Sequence, residues 1–345
     1  MNTLVALANK WQDYRHDNPS IRIRTAAKNL GVSEAELVQT GVDGTCSRLG
    51  PISTSMIEEF GSLGQVMALT RSDVLVHELH GHFEATKIHG NSAMHFRPGL
   101  DTRYFLDRWG FAFAVQEGER NSLQFFDWQG QAIHKLFMLE GSNMVAYEAF
   151  INKYKLQDQL GLIKVLPAPT KPTVPLPERN QTRIQQRWSG IKDVHEGNHI
   201  IKQYGHNKAT AYADLGIDYA QPLSTDSVEK LLRLVANQSH PIILFGMNNA
   251  AVQSYSGTIS NIVTHGPWFN ILDSGFNIHL MPRQIGSVWH LRKPTPEGIV
   301  NSLSVLDIDG DEIMVITDQR LRGQRETGTW NHLLQQLPAL DQQVD

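Results

Sequence analysis

Cysteine is nearly absent from this 345-residue chain, with Cys46 its single example. That excludes an intramolecular disulfide framework and any CxxC metal or redox site. No apolar run approaches the roughly 18 residues that cross a bilayer as a helix. Neither sign of charge dominates: 31 Lys and Arg face 35 Asp and Glu, for a net charge of −4. Such a balance argues against a surface given over wholly to nucleic acid or anionic lipid, while leaving room for a local basic pocket. A phosphate-binding glycine loop, a G-x-S-x-G elbow and a paired-carboxylate motif are also missing. The stretch from Met1 to Asn18 reaches Lys10, Trp11 and Asp13 too soon for a signal peptide. Together these absences lead to the expectation of a soluble, cytoplasmic protein without membrane insertion.

What is present suffices for folded cores: 41% of residues are hydrophobic, and the length suits two domains of about 170 residues. Five of the fifteen prolines fall between Pro167 and Pro177, a composition that holds no helix and reads as an extended connector. The same features recur on either side of it. Asn121–Gly130 matches Asn301–Gly310, Glu117-Gly118 matches Glu297-Gly298, and Trp109 matches Trp289 at one common spacing. Val76–Gly81 matches Val252–Gly257, Trp11 matches Trp188, and Thr25-Ala26 with Leu30-Gly31-Val32 matches Thr210-Ala211 with Leu215-Gly216-Ile217. Anchors in unchanged order with drifting spacing are the mark of duplication followed by loop insertions. The expected organisation is a first repeat over 1–165, a Pro-rich linker over 166–178 and a second repeat over 179–345. Within a repeat, Ser33 with Glu36 forms a capping box ahead of a helix, and a second helical stretch runs around Ser53–Leu63. Short β-rich runs follow, with glycine turns at Gly130 and Gly310. Helices around Met144–Tyr154 and Trp330–Leu337 close the copies. The fold class is α+β: N-terminal helices and then a large antiparallel sheet in each half of a tandem duplication.

Several side chains could carry chemistry. His77-Glu78-Leu79-His80-Gly81-His82 departs from the zinc-protease spacing, because its second histidine falls at i+3 instead of i+4. Read as a strand, it sends His77 to one face and His80 and His82 to the other, so three ligands do not converge. The run from Arg22 through Leu37 resembles a helix-turn-helix, which keeps a DNA-binding regulator as an alternative. Its would-be recognition helix, however, carries Glu34 and Glu36 and no base-reading residue before Gln39. His195 stands just past the connector, with His199 one helical turn on. Counting from the paired tryptophans, its counterpart in the first copy is Asn18, so the duplication is asymmetric there. On residues alone, His195 remains open between a surface or capping histidine and a ligand. Arg103, Arg292-Lys293 and Arg320 are cations that occur late in each copy.

Taken in order, Ser33–Leu37, Val76-His77-Glu78, Leu100-Asp101 with Arg103, Ser122 with Gln124–Asp127, Asp193-Val194-His195, Arg292–Thr295 and Gln319-Arg320 resemble the bacterial hemin-degrading factors of the HemS/ChuS type. The likeness runs over about residues 8–335 and includes the duplication. It implies haem as ligand and substrate, held in a cleft between the halves. His195 would be the axial iron ligand, with His199 as a second candidate. Arg103 would reach over the other haem face, Lys293 and Arg320 would line the pocket, and His77 falls on a histidine of less settled role. The implied activity is oxidative degradation of haem to release iron, using an external electron donor. The alternative is a non-enzymatic haem chaperone or storage protein that delivers haem to a separate oxygenase. Implied partners are haem importer components, a reductase or a haem oxygenase, with a homodimer left open. The chain departs from the family where aromatic residues commonly follow the ligand histidine: here stand Glu196-Gly197-Asn198. Thr317 replaces a tyrosine, and Glu84–Gly99 matches poorly.

Overall fold

The computed structural model describes residues 3–42, 44–168, 181–204, 207–320 and 324–340. Most of the expected proline-rich linker, residues 169–178, lies outside the described residues. The first half runs α1 (Thr3–Asp17), α2 (Ile23–Leu30), α3 (Glu34–Gln39), β1 (Cys46–Leu49), α4 (Thr54–Glu58), β2 (Gly64–Arg71) and β3 (Leu75–Gly81). It continues through β4 (Lys87–His89), β5 (Ser92–His95), β6 (Asp101–Phe105), β7 (Trp109–Glu117), β8 (Arg120–Asp127), β9 (Ala132–Ser142) and α5 (Met144–Tyr154). The second half repeats the succession. Its first part is α6 (Gln181–Ser189), α7 (Glu196–Tyr204), α8 (Lys208–Leu215), β10 (Ala220–Leu223), α9 (Ser227–Asn237), β11 (Ile242–Met247) and β12 (Ala251–Gly257). Then come β13 (Ile262–His265), β14 (Trp268–Asp273), β15 (Phe276–Leu280), β16 (Ile285–Thr295), β17 (Gly298–Asp307), β18 (Glu312–Asp318) and α10 (Gly328–Gln335).

Two compact units result. One comprises Met1–Arg71, Glu78–Thr170 and Asn249–Gln253; the other comprises Ser72–His77, Lys171–Asn248 and Ser254–Asp345. The units are therefore not the two contiguous halves, because each takes a short piece at β3 or β12 from the other half. In the first unit, β1, β7, β8, β9 and β2 run antiparallel in that order, and β4–β5–β6 is a meander. In the second, β10, β16, β17, β18 and β11 do the same, and β13–β14–β15 is the meander. The first unit's core is aromatic: Phe60, Tyr104, Trp109, Phe125 and Phe150 are almost fully buried together. Trp188 plays that part among the helices of the second unit, surrounded by Ile184, Ile191, Ile200 and Ala211.

Register sharpens the internal repeat. Asp127 accepts backbone N–H bonds from Gln129 and Gln131, and Asp307 accepts them from Asp309 and Asp311. Gly130 and Gly310 complete these turns at φ 73° and 81°, so this segment matches as the sequence implies. The tryptophan match does not hold. Asp127 pairs with Trp109, whereas Asp307 pairs with Ile285, so Ile285 and not Trp289 takes the place of Trp109. The β16–β17 hairpin is longer by four residues, and that extra length displaced the match.

The helical match also moves. Ser33 caps α3 by accepting from Glu36 N at 3.2 Å, and Asn207 caps α8 by accepting from Thr210 N at 2.8 Å. Each cap lies over the glycine of its hairpin turn, Ser33 over Gly130 and Asn207 over Gly310. After these helices, Gly41 O accepts from Cys46 N and Gly216 O from Ala220 N, which starts the first strand in both cases. Hence α8 corresponds to α3, not to the end of α2, and α7 corresponds to α2. His195, immediately before α7, then corresponds to Arg22, the N-cap of α2, instead of Asn18.

The would-be recognition helix α3 is packed away. Glu34, Ala35, Leu37, Val38 and Gln39 are all buried, which leaves no face for reading bases. Glu34 is 1% exposed and bonds to Lys135 Nζ at 3.0 Å, with Arg24 at 3.6 Å. Burial pushes its carboxyl up, but the charges of Lys135, Arg71 and Arg24 outweigh burial and hold it below its ordinary value.

Gly31 and Gly130 separate backbone strain from crowding. Both sit at positive φ, yet a Cβ on Gly31 meets nothing within 4 Å, while one on Gly130 would lie 2.6 Å from Ser33 Cβ and 2.9 Å from Val165 Cγ1. Gly31→Ala is expected to cost about 1 kcal/mol and Gly130→Ala about 3 kcal/mol. Urea unfolding midpoints check the order.

Candidate functional site

The second unit brings three of the expected residues into one neighbourhood. Trp188, at the end of α6, is 1% exposed, and its indole N–H donates to Arg292 O on β16 at 2.8 Å. Gly197, in the first turn of α7, lies against that indole and against the Lys293 side chain. A Cβ there would sit 3.2 Å from Trp188 Cη2 and Cζ3 and 3.4 Å from Lys293 Cε. The indole thus joins the strand carrying Lys293 to the helix that begins just after His195. The His195 side chain is 81% exposed. Asp193 Oδ1 accepts the backbone N–H of His195 at 2.8 Å and lies 4.0 Å from its Nε2. His199 is exposed one turn further along α7.

Lys293 is half-buried beside a charged cluster. Lys208 Nζ donates to Glu312, and Tyr212 Oη and Ser304 Oγ donate to Glu312 Oε1 at 3.1 and 2.6 Å. Burial raises the Glu312 carboxyl, but Lys208, Ser304 and Lys293 overcome this and hold it below the ordinary range. For Lys293, burial lowers the ammonium, Glu312 offsets part of that, and Lys208 adds to it. Lys208 pairs with Glu312, and Lys293 stands near enough to act on the same carboxylate.

Arg320 lies just past β18, half-buried, and donates to Gln324 O at 2.9 Å. A hydrogen-bond chain links its segment to β16. Arg292 Nη2 lies 3.3 Å from His290 Nδ1, and His290 Nε2 lies 2.8 Å from Asn301 Oδ1. Asn301 in turn donates from Nδ2 to Glu326 Oε2 at 2.7 Å and from its backbone N to Oε1 at 2.5 Å. Thr317 donates to Asn301 O at 3.3 Å. Sequence reasoning singled out neither Asn301 nor Glu326. Asn301 was visible only as half of a repeat match, and an isolated glutamate gives no signal.

The other expected residues lie elsewhere. Arg103 is on β6 in the first unit, 28% exposed, with Asp101 Oδ1 at 3.5 Å from its Nη1. His77 is on β3 and has no exposed surface. Its ring packs edge-on against Phe276 at 5.4 Å, and Gly246 gives it room, since a Cβ there would fall 2.6 Å from His77 Nδ1. The observed environment of His77 is that of a packed core residue. His80 is exposed, as alternation along a strand requires.

A family model described as the haemin-degrading HemS.ChuX domain matches residues 31–154 and again 205–337. The chain belongs to this family. The two matches begin two residues before the caps Ser33 and Asn207, in agreement with the pairing of α3 and α8. Over 330 residues the chain is 31% identical to the hemin transport protein HemS of Yersinia enterocolitica, covering 94% of this chain and 95% of that one. It superposes on apo-PhuS, a heme-binding protein from Pseudomonas aeruginosa, with a TM-score of 0.91 and 33% identity over 98% of this chain and 100% of that one. It also superposes on the heme degrading enzyme ChuS of Escherichia coli O157:H7, with a TM-score of 0.90 and 26% identity over 97% and 99% of the two chains.

Glu326 is a buried carboxyl that titrates near neutrality. Burial pushes its carboxyl up to about 7 against the hydrogen bonds from Asn301; Asp318 adds to the rise and Arg320 opposes it. A pKa raised on folding contributes stability that is complete below the unfolded value near 4.5 and lost as pH rises through about 7. Glu326→Gln is therefore expected to flatten the fall in stability between about pH 5 and 7, measured as urea midpoint against pH.

Proposed function

We propose that this protein binds haem through His195 and serves haem utilisation in the bacterial cytoplasm by opening the porphyrin oxidatively to release iron. The observation that carries the reading is an exposed imidazole at the start of α7, tied through Gly197 and Trp188 to the strand bearing Lys293. An imidazole is a good axial ligand for haem iron. Asp193 accepts the backbone N–H of His195 and so fixes the chain just before α7. Lys293, beside the Lys208–Glu312 pair, is a cation that suits a propionate. Arg320 adds a second cation, its segment held by Asn301 and Glu326. The family resemblance adds Arg103 as a further haem contact. Haem brings the iron at which dioxygen is reduced, and electrons come from an external donor. PhuS is described as heme-binding and ChuS as heme degrading, which supports haem as ligand and substrate here.

A second reading, a carrier that passes intact haem to a separate oxygenase, is favoured by the description of HemS as a hemin transport protein. Both readings need the same pocket and differ in the fate of the bound haem. Titration of the apoprotein with hemin is expected to give a saturable Soret band. His195→Ala is expected to weaken binding by roughly tenfold or more, and His199→Ala to leave it near wild type. With reductant, air and catalase, loss of the Soret band with bilin-type product and released iron supports degradation. A persistent haem complex under those conditions supports the carrier. No saturable Soret change in the wild type would sink both.

A further inference from the structure

Glycine early in a nine-residue helix calls for a reason, since it disfavours the helix relative to alanine. Gly197 has no unusual backbone angle to supply that reason: it is not among the glycines at positive φ. Its reason is space. The missing Cβ would stand 3.2 Å from two atoms of the Trp188 indole and 3.4 Å from Lys293 Cε, tighter than most real contacts on the indole side. The indole cannot easily retreat, being 1% exposed and held by its hydrogen bond to Arg292 O. One turn further along α7, Ile200 and Ile201 share the face of Gly197 and are buried in the same core as Trp188, so the helix cannot easily roll away from the indole. A side chain at 197 would therefore lift the first turn of α7, and His195 lies two residues upstream.

We infer that Gly197 is a positioning residue for His195: its lack of a side chain lets α7 settle on Trp188 and Lys293, which sets where the imidazole stands relative to the Lys293 ammonium. The inference rests on the reading of His195 as the haem ligand, and it adds a coupling between that ligand and the cation on β16. The aromatic residues common after the histidine in the family could not occupy position 197 on this packing, so this chain has matched Trp188 to a glycine.

The test compares ferric haem complexes of wild type, Gly197→Ala, Trp188→Phe and the double variant, by Soret position, spin-state bands and rate of haem loss to an acceptor protein. Gly197→Ala is expected to shift the Soret band and speed haem loss by roughly tenfold. The smaller phenyl ring in the double variant is expected to return both toward wild type. A glycine that served only the helix would behave otherwise: Gly197→Ala would raise the urea midpoint and leave the spectrum and release rate unchanged. That result overturns the inference, as does a double variant no closer to wild type than Gly197→Ala. Should Gly197→Ala fail to fold, the double variant against Trp188→Phe alone gives the same decision, a wild-type-like spectrum in the double being the supporting outcome. His195→Ala separates the two levels. If it leaves the wild-type spectrum intact, the ligand reading fails and this inference fails with it. If it abolishes the spectrum while Gly197→Ala changes nothing, only the positioning role falls.

Discussion

A side chain on Gly130 would collide with Ser33, the N-cap of α3, and a looser form of the same packing puts Asn207 over Gly310. This seat of a helix start on a hairpin turn is the constraint on which each unit depends. The turn requires positive φ, which glycine adopts without cost. The cap requires a short polar side chain that turns back to the helix N–H groups. Where both are met, the helical layer is fixed against the sheet at one point, and Ala35 N adds a hydrogen bond to Gly130 O at 2.9 Å. The strand after the helix then starts from Gly41 in one unit and Gly216 in the other.

Upon that shared frame the second unit has diverged where chemistry is expected. Its β16–β17 hairpin is four residues longer, and Lys293 lies just before the lengthened part, at the place that Glu117 takes in the first unit. The helix corresponding to α2 starts after His195 where the first unit has Arg22. Where the first unit has Arg22 before its helix and Glu117 on its strand, the second has His195 and Lys293. Buried polar groups follow the same division. The first unit encloses His134, bonded to Thr70 and Tyr104 and pushed by burial to about 3, so it stays neutral. The second unit sets Lys208 and Lys293 beside the buried Glu312 carboxylate.

Much of the fold was legible in the sequence because its signals are local. The Ser33–Glu36 capping box, the Asp-anchored turns at Gly130 and Gly310, and the helix over Met144–Tyr154 each depend on residues within a few positions of one another. The repeat was legible too, but its alignment slipped where length had changed. Trp109 and Trp289 share a residue type and not a place in the sheet, and Leu30-Gly31 and Leu215-Gly216 share a helix-ending pattern and not a helix. Similar letters outweighed register because hydrogen-bond pairing cannot be read from one strand alone.

The candidate site divides along the same line. By itself the sequence determined the succession of helices and strands, the duplication, and the family likeness that singles out His195, Arg103, Lys293 and Arg320. Only the tertiary structure decided that His77 is enclosed against Phe276 and Gly246, that His195 stands in the open, and that Glu326 supports the Arg320 segment through Asn301. It also decided that Gly197 is a close-packed contact to Trp188 and Lys293. The physical reason is separation along the chain. Trp188 and Arg292 are 104 positions apart, and a contact between a helix and a distant strand leaves no periodicity, cap or turn residue in the letters of either.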